Sequence, residues 1–263
     1  MKNILLLVHD DEGQEARFQA ALDLTRALGG HVRCVDVTMI PSVVMDDYAG
    51  AGSAMLLDDE REREGKNKER LGGRLTHEDV SWDWIDVTAS LPTGLLDAAA
   101  LADIIVLNSG LEGSPTMREV ASQVVMRGRA PVLAVPATLD HLALGRALVA
   151  WDGQASCAAT LRAGTPLLAL AEEVEIFMVR DGAERTEPEE AAEYLSRHGI
   201  HASVRVIDDG LHAPDSLIEQ ECARWRADYV LMGAYGRGRL METFGGVTKR
   251  MLGKTRLPLL LGH

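Results

Sequence analysis

Residues Asp228 to Thr248 read D-Y-V-L-M-G-A-Y-G-R-G-R-L-M-E-T-F-G-G-V-T. The apolar run Tyr229–Met232 has the length and composition of a buried strand. It breaks on a loop holding Gly233, Gly236 and Gly238, and after a polar span Gly245 and Gly246 open a helical segment. A strand, a glycine loop and a helix start in this order suit phosphate. Glycines let backbone N–H groups turn toward an anion, and the helix N-terminus adds positive potential. From Gly233 to Arg256 the chain carries Arg237, Arg239, Lys249, Arg250, Lys254 and Arg256 against Glu242 alone, although its formal net charge is -13. A local basic excess in an acidic protein points to a small polyanion.

Outward from this stretch the same rhythm recurs. Strands are expected at Asn3–His9, His31–Val37, Val80–Val87, Ile104–Asn108 and Val132–Val135. Helices are expected at Gly13–Leu28, Met55–Arg74, Gly94–Leu101 and Met117–Met126, with Gly29-Gly30 stopping the first. The span Met39–Ser53 reads as irregular, and the mixed charges of Met55–Arg74 as a solvated helix face or lid. The second half repeats the series. Its strands fall at Ala147–Asp152, Val174–Arg180, Ala202–Ile207, Tyr229–Met232 and Leu257–Leu261, and its helices at Ser156–Ala171, Glu187–His198, Asp215–Trp225 and Val247–Leu252. Strands alternating with helices imply α/β architecture with a parallel sheet covered on both faces.

Three landmarks align the halves: N-I-L-L-L-V-H with R-A-L-V-A-W-D, A-D-I-I-V-L-N with A-D-Y-V-L-M-G, and A-P-V-L-A-V-P with L-P-L-L-L-G-H. They mark an internal duplication, with domains expected at 1–138 and 145–263 and a linker near Ala137–Gly145. Pro131 and Pro258 stand before the last strand of each half. Proline is tolerated at a strand's start or edge, so these two strands are expected to meet across an interface between the halves.

The motif G-x-x-G, a spacer, then G-[ST] and V-[ST] after a strand ending in Met-Gly resembles the nucleotide loop of the universal stress protein family. Gly233-Ala-Tyr-Gly236 fits the opening and Gly245-Gly246-Val247-Thr248 the close, with eight residues, Arg237 to Phe244, between them. Gly246 stands where the ATP-binding members carry Ser or Thr. The resemblance implies two tandem doubly wound domains, each a five-stranded parallel sheet flanked by helices, associated as an intramolecular pseudo-dimer that could pair further as a homodimer. It implies ATP or another adenine nucleotide as ligand, with Asp152 and Val179 at the adenosine end. Gly233, Gly236, Arg237, Gly245, Gly246, Val247 and Thr248 would surround the phosphates. The first half has His9 in place of Asp152, Asn108 and Leu111 in place of Gly233 and Gly236, and Ala121-Ser122 for the closing glycines. It reads as a structural or regulatory copy.

Each feature alone has a plainer reading. Gly233 and Gly236 could make a turn, Asp152-Gly153 could start a helix, and Arg237 and Arg239 are singly read as solvated. Their joint occurrence favours a nucleotide cleft. Gly253-Lys254-Thr255 is not a P-loop, since Pro258 follows at once, and Gly236-x-Gly238 lacks the third glycine of a dinucleotide fingerprint. No nucleophile motif or metal-ligand spacing surrounds the histidines or Cys34, Cys157 and Cys222, so neither a catalytic residue nor a metal is assigned. A pI near 5.1 argues against nucleic acid as partner. The N-terminal apolar run is too short for a signal or membrane span, and a cytoplasmic protein without a membrane partner is expected. A stress-linked regulatory or protective role follows from the resemblance. A member acting only through protein partners, and a slow ATP-hydrolysing enzyme, stay open as alternatives.

Overall fold

The computed structural model describes residues 1–39, 50–110, 115–180, 186–234 and 246–263. Ten strands form one sheet: β1 (Asn3–Val8), β2 (His31–Met39), β3 (Ser81–Ala89), β4 (Ile104–Asn108), β5 (Val132–Val135), β6 (Arg146–Trp151), β7 (Glu173–Arg180), β8 (Ala202–Asp208), β9 (Tyr229–Gly233) and β10 (Leu259–Gly262). The helices are α1 (Gln14–Leu28), α2 (Gly50–Leu75), α3 (Leu91–Ala98), α4 (Pro115–Arg127), α5 (Ala155–Leu168), α6 (Pro188–Arg197), α7 (Pro214–Trp225) and α8 (Gly246–Lys254).

The sheet order is β3-β2-β1-β4-β5-β10-β9-β6-β7-β8. Every pairing within a half is parallel, so each half repeats one doubly wound order. At the centre β5 and β10 run antiparallel, with Leu259 opposite Ala134, Leu260 opposite Leu133 and Leu261 opposite Val132. The two proline-led strands therefore meet as expected.

Both faces are covered, which is why the strands read as unbroken apolar runs instead of alternating ones. On one face Ile4, Leu6 and Val8 of β1 join Phe18, Leu22, Leu71 and Leu75 from α1 and α2, and the layer continues through Leu161 and Leu168 of α5 to Leu195 of α6. On the other, Leu5 and Leu7 join Leu95, Val120 and Val124 from α3 and α4, continuing to Ile218 of α7 and Met251 of α8.

The shared A-D landmark has a structural cause. Asp103 accepts from the backbone N–H of Lys2 at 2.6 Å and of Asn3 at 2.9 Å, tying the start of β4 to β1. Asp228 accepts from the Arg146 N–H at 2.8 Å and ties β9 to β6 in the same way. Gly29 ends α1 in the left-handed region (φ 55°), as its position predicts.

Some boundaries differ from the sequence reading. β2 and β3 run on to Met39 and Ala89, because they pair with each other along nine residues. α3 begins at Leu91 and ends at Ala98, since Pro92 suits a first helical turn and a short 3-10 turn carries Ala99–Leu101. α5 begins at Ala155 and ends at Leu168 with Pro166 inside its last turn. The span read as irregular contributes Gly50–Ser53 to α2, and its residues 40–49 lie outside those described.

Candidate functional site: a cleft over the second half

Ligands of open α/β sheets bind beyond the carboxyl ends of strands where helices on the two faces diverge. β6 is such a strand, flanked by β9 on one side and β7 on the other. Beyond its end lies a cleft of about 490 Å³, within the range of small-molecule sites. Its floor is apolar: Trp151, Phe177, Val179, Met232 and Ile218. The rim is polar, with Asp152, Gln154, Arg180, Asp209, His212 and Thr248.

Asp152 follows β6 directly. Its Oδ1 accepts from the Gln154 N–H at 3.0 Å, and Gly153 turns the chain through φ 68° before α5 begins. Val179 is on β7, and the indole of Trp151 is fixed by donating to the Thr186 carbonyl at 2.9 Å. Gly233 ends β9 where the first turn of α5 presses on it. A Cβ there would stand 2.6 Å from the Cys157 nitrogen and 2.8 Å from its Cα. That glycine is thus required for backbone packing as well as for lining the cleft.

The cleft closes on the N-terminus of α8. Gly246, Val247 and Thr248 all line it, and Thr248 is buried. The first turn of a helix has N–H groups with no intrahelical acceptor and carries partial positive charge, so this end of the cleft favours an anion. The structure brings together Asp152, Val179, Gly233, Gly246, Val247 and Thr248 from the sequence-predicted set. Gly236, Arg237 and Gly245 lie outside the described residues. Sequence reasoning missed Trp151, Gln154, Phe177, Arg180, Asp209 and His212. The available signals were adjacency to predicted residues: Trp151 and Gln154 flank Asp152, and Arg180 follows Val179 at a strand end. Asp209 accepts from the Leu211 and His212 N–H groups and from His212 Nδ1 at 2.9 Å, and this last bond does most to lower its carboxyl to about 2. Cys157 lies behind the floor, and burial pushes its thiol up to about 12, which makes it an inert packing group. Cys34 and Cys222 are likewise buried and raised to about 12.

The corresponding place in the first half is filled. Arg17 is fully buried and donates to the Leu7 carbonyl at 2.8 Å, to Asp11 at 2.5 Å, to Asn108 Oδ1 at 2.7 Å and to the His9 carbonyl. Asn108, the counterpart of Gly233, is thereby built into the core. Packed on β2 and reaching over the end of β1 lies α2, with 26 residues against 10 in its counterpart α6. Glu64 Oε1 is 2.8 Å from His9 Nδ1 and accepts from the Asp10 N–H, while Asn67 and Gln14 exchange amide hydrogen bonds at 2.7 and 2.8 Å. The charged stretch is thus a solvated face outside and a cover inside. No helix of the described residues is long and apolar enough to cross a membrane.

No protein-family model matches the chain. A curated universal stress protein of Synechocystis is 24% identical, with 99% of each chain covered. Among solved structures, a universal stress protein from Archaeoglobus fulgidus is similar with a TM-score of 0.78, 15% identity, and 99% of this chain and 95% of that one covered. One described as a putative universal stress protein from Pseudomonas aeruginosa has a TM-score of 0.63, 14% identity, and coverage of 100% and 93%. The structural likenesses show a shared fold from end to end, and the resemblance read from the motifs extends over the whole chain.

Proposed function

We propose that this chain, similar along its whole length to universal stress proteins, holds one adenine nucleotide, ATP foremost, in the second-half cleft. It works as a stress-linked regulatory or protective protein, built of two units at 1–138 and 145–263. The observation that carries this reading is the convergence of Asp152, Val179, Gly233 and the first turn of α8 on one cleft, while Arg17, Asn108 and α2 fill the equivalent place in the first half. The adenosine end lies on Trp151, Phe177 and Val179 beside Asp152. The phosphates meet the α8 N-terminus and Thr248, with Gly236, Arg237 and Gly245 completing their surround. Binding and positioning groups are at hand, and slow or absent turnover is expected from the regulatory or protective role that the resemblance implies.

Mass spectrometry of the ligand released from freshly purified protein, followed by isothermal titration of stripped protein, tests this. One site per chain is expected. Thr248→Ala should weaken it by about 1.4 kcal/mol, about tenfold, as for one hydrogen bond to a charged group. Gly236→Val should abolish binding, because the resemblance implies a glycine beside the phosphates and a branched side chain would take up that space. Two equivalent sites per chain, or no nucleotide at all, refute the reading. Hydrolysis above about 1 s⁻¹, the low end of ordinary enzyme turnover, that is lost in the Gly236 variant would overturn the non-enzymatic part.

A further inference from the structure

The cover over the first half contains more than packing groups. Glu60 and Glu64 are four residues apart on α2 and so share one face, and His9 reaches them from the end of β1. The ligand-capable atoms of these three side chains lie within 4.8 Å of one another. Donors bound at about 2.0–2.2 Å to one ion stand about 3.3–3.6 Å apart, so all three side chains would adjust toward that spacing on binding an ion. One further observation suggests that something belongs between them. The buried His9 Nδ1 lies 2.8 Å from Glu64 Oε1 without being aligned for a hydrogen bond to it.

The guanidinium that meets these acids is that of Arg63. Lys68 is committed to Asp86 at 2.5 Å and Arg17 to Asp11 and the carbonyls. Arg63 touches Glu60 at 2.8 Å and Glu64 at 3.5 Å, but its side chain is 45% exposed and free to swing into water. Buried carboxylates need a compensating charge. We propose that His9, Glu60 and Glu64 form a site for a divalent transition-metal ion in the first half, with Arg63 as the group the ion displaces. One imidazole and two carboxylates suit Zn²⁺ or Mn²⁺ better than Mg²⁺, which prefers oxygen alone. Such an ion would pin α2 to the end of β1, independently of anything bound in the second-half cleft.

The test is isothermal titration of ZnCl₂ into chelator-stripped, nucleotide-free full-length protein, with thermal melts alongside. One site is expected, with a metal-dependent rise in melting temperature. Glu60→Gln, at a half-buried position, should keep the metal-free melting temperature and lower affinity at least tenfold, because loss even of groups behind a ligand costs about 10–100-fold. His9→Gln should do the same, and Thr248→Ala should leave Zn²⁺ affinity unchanged. Absence of binding by the parent, or an affinity untouched by Glu60→Gln and His9→Gln, overturns the assignment. Loss of Zn²⁺ binding in Thr248→Ala would place the ion in the other half and also overturn it.

Discussion

Replacing Gly233 by Ala inserts one methyl group where none fits. Its Cβ would stand 2.6 Å from the backbone nitrogen of Cys157, 2.8 Å from its Cα and 3.0 Å from Ser156 Oγ. Van der Waals contact begins near 3.5 Å, and the two closest atoms are backbone of the first turn of α5, which cannot rotate aside. Relief requires α5 and β9 to separate by several tenths of an ångström, against a layer in which Leu161 and Leu231 are buried. Overpacking of this kind costs about 1–3 kcal/mol, and with backbone on both sides we expect about 2–3. At about 2–4 °C per kcal/mol for chains of this size, the melting temperature should fall by about 4–12 °C, read by circular dichroism or dye fluorescence. The control is Gly246→Ala, whose Cβ meets only the far end of Arg250, at 2.8 Å from Nη1. That flexible group can move, and the variant should melt within about 2 °C of the parent. A Gly233→Ala protein as stable as the parent, or a Gly246 variant equally damaged, would refute the reasoning.

Gly246→Ser restores the hydroxyl that ATP-binding relatives of the family are expected to use, and should tighten nucleotide binding several-fold in titration without loss of stability. Arg17→Met leaves Asp11 and Asn108 without their buried donor; it should cost about 3–5 kcal/mol, seen as a large drop in the urea midpoint. Glu175 on β7 and Glu221 on α7 face each other under Arg224 and Arg205. Burial, then the neighbouring Glu221, pushes the Glu175 carboxyl from 4.5 up to about 7. The folded state therefore keeps a proton that the unfolded chain releases, so this group's contribution is most favourable below about pH 4.5 and is lost as pH rises to about 7. Glu175→Gln should flatten that decline between pH 5 and 8 in thermal melts, and an identical pH profile for parent and variant would contradict the assignment.

The alternation of apolar runs and helices was legible because a parallel sheet buried on both faces leaves every strand continuous in hydrophobicity, as in Ile4–Val8 and Tyr229–Met232. The pairing of β5 with β10 was legible from Pro131 and Pro258, since proline is tolerated where a strand starts or at an edge. What escaped were groups whose role comes from elements far apart in sequence. Arg180, His212 and Trp151 are unremarkable residues until the ends of β6, β7 and β8 are side by side. The meeting of His9 with Glu64 depends on α2, packed on β2, reaching the end of β1, and charge mixing along Asp58–Arg74 describes the outer face alone. Gly233 was read for phosphate, and its close approach to Cys157 could be seen only once α5 was placed. Helix boundaries slipped at Leu91 because Pro92 opens a helix more often than periodicity near it suggests.

The antiparallel contact between β5 and β10 also bears on how the chain is made. Val132–Val135 is wholly apolar and fully buried, and its second neighbour is Leu259–Gly262. During synthesis the first half can assemble β1 to β5 while its last strand still has an open, uncharged flank, the kind of edge that recruits other chains. That flank stays open until residues more than a hundred positions later emerge. A chain shortened before Leu259 would keep an intact first-half core and a sticky border, so the handful of residues at β10 guard solubility out of proportion to the area they bury.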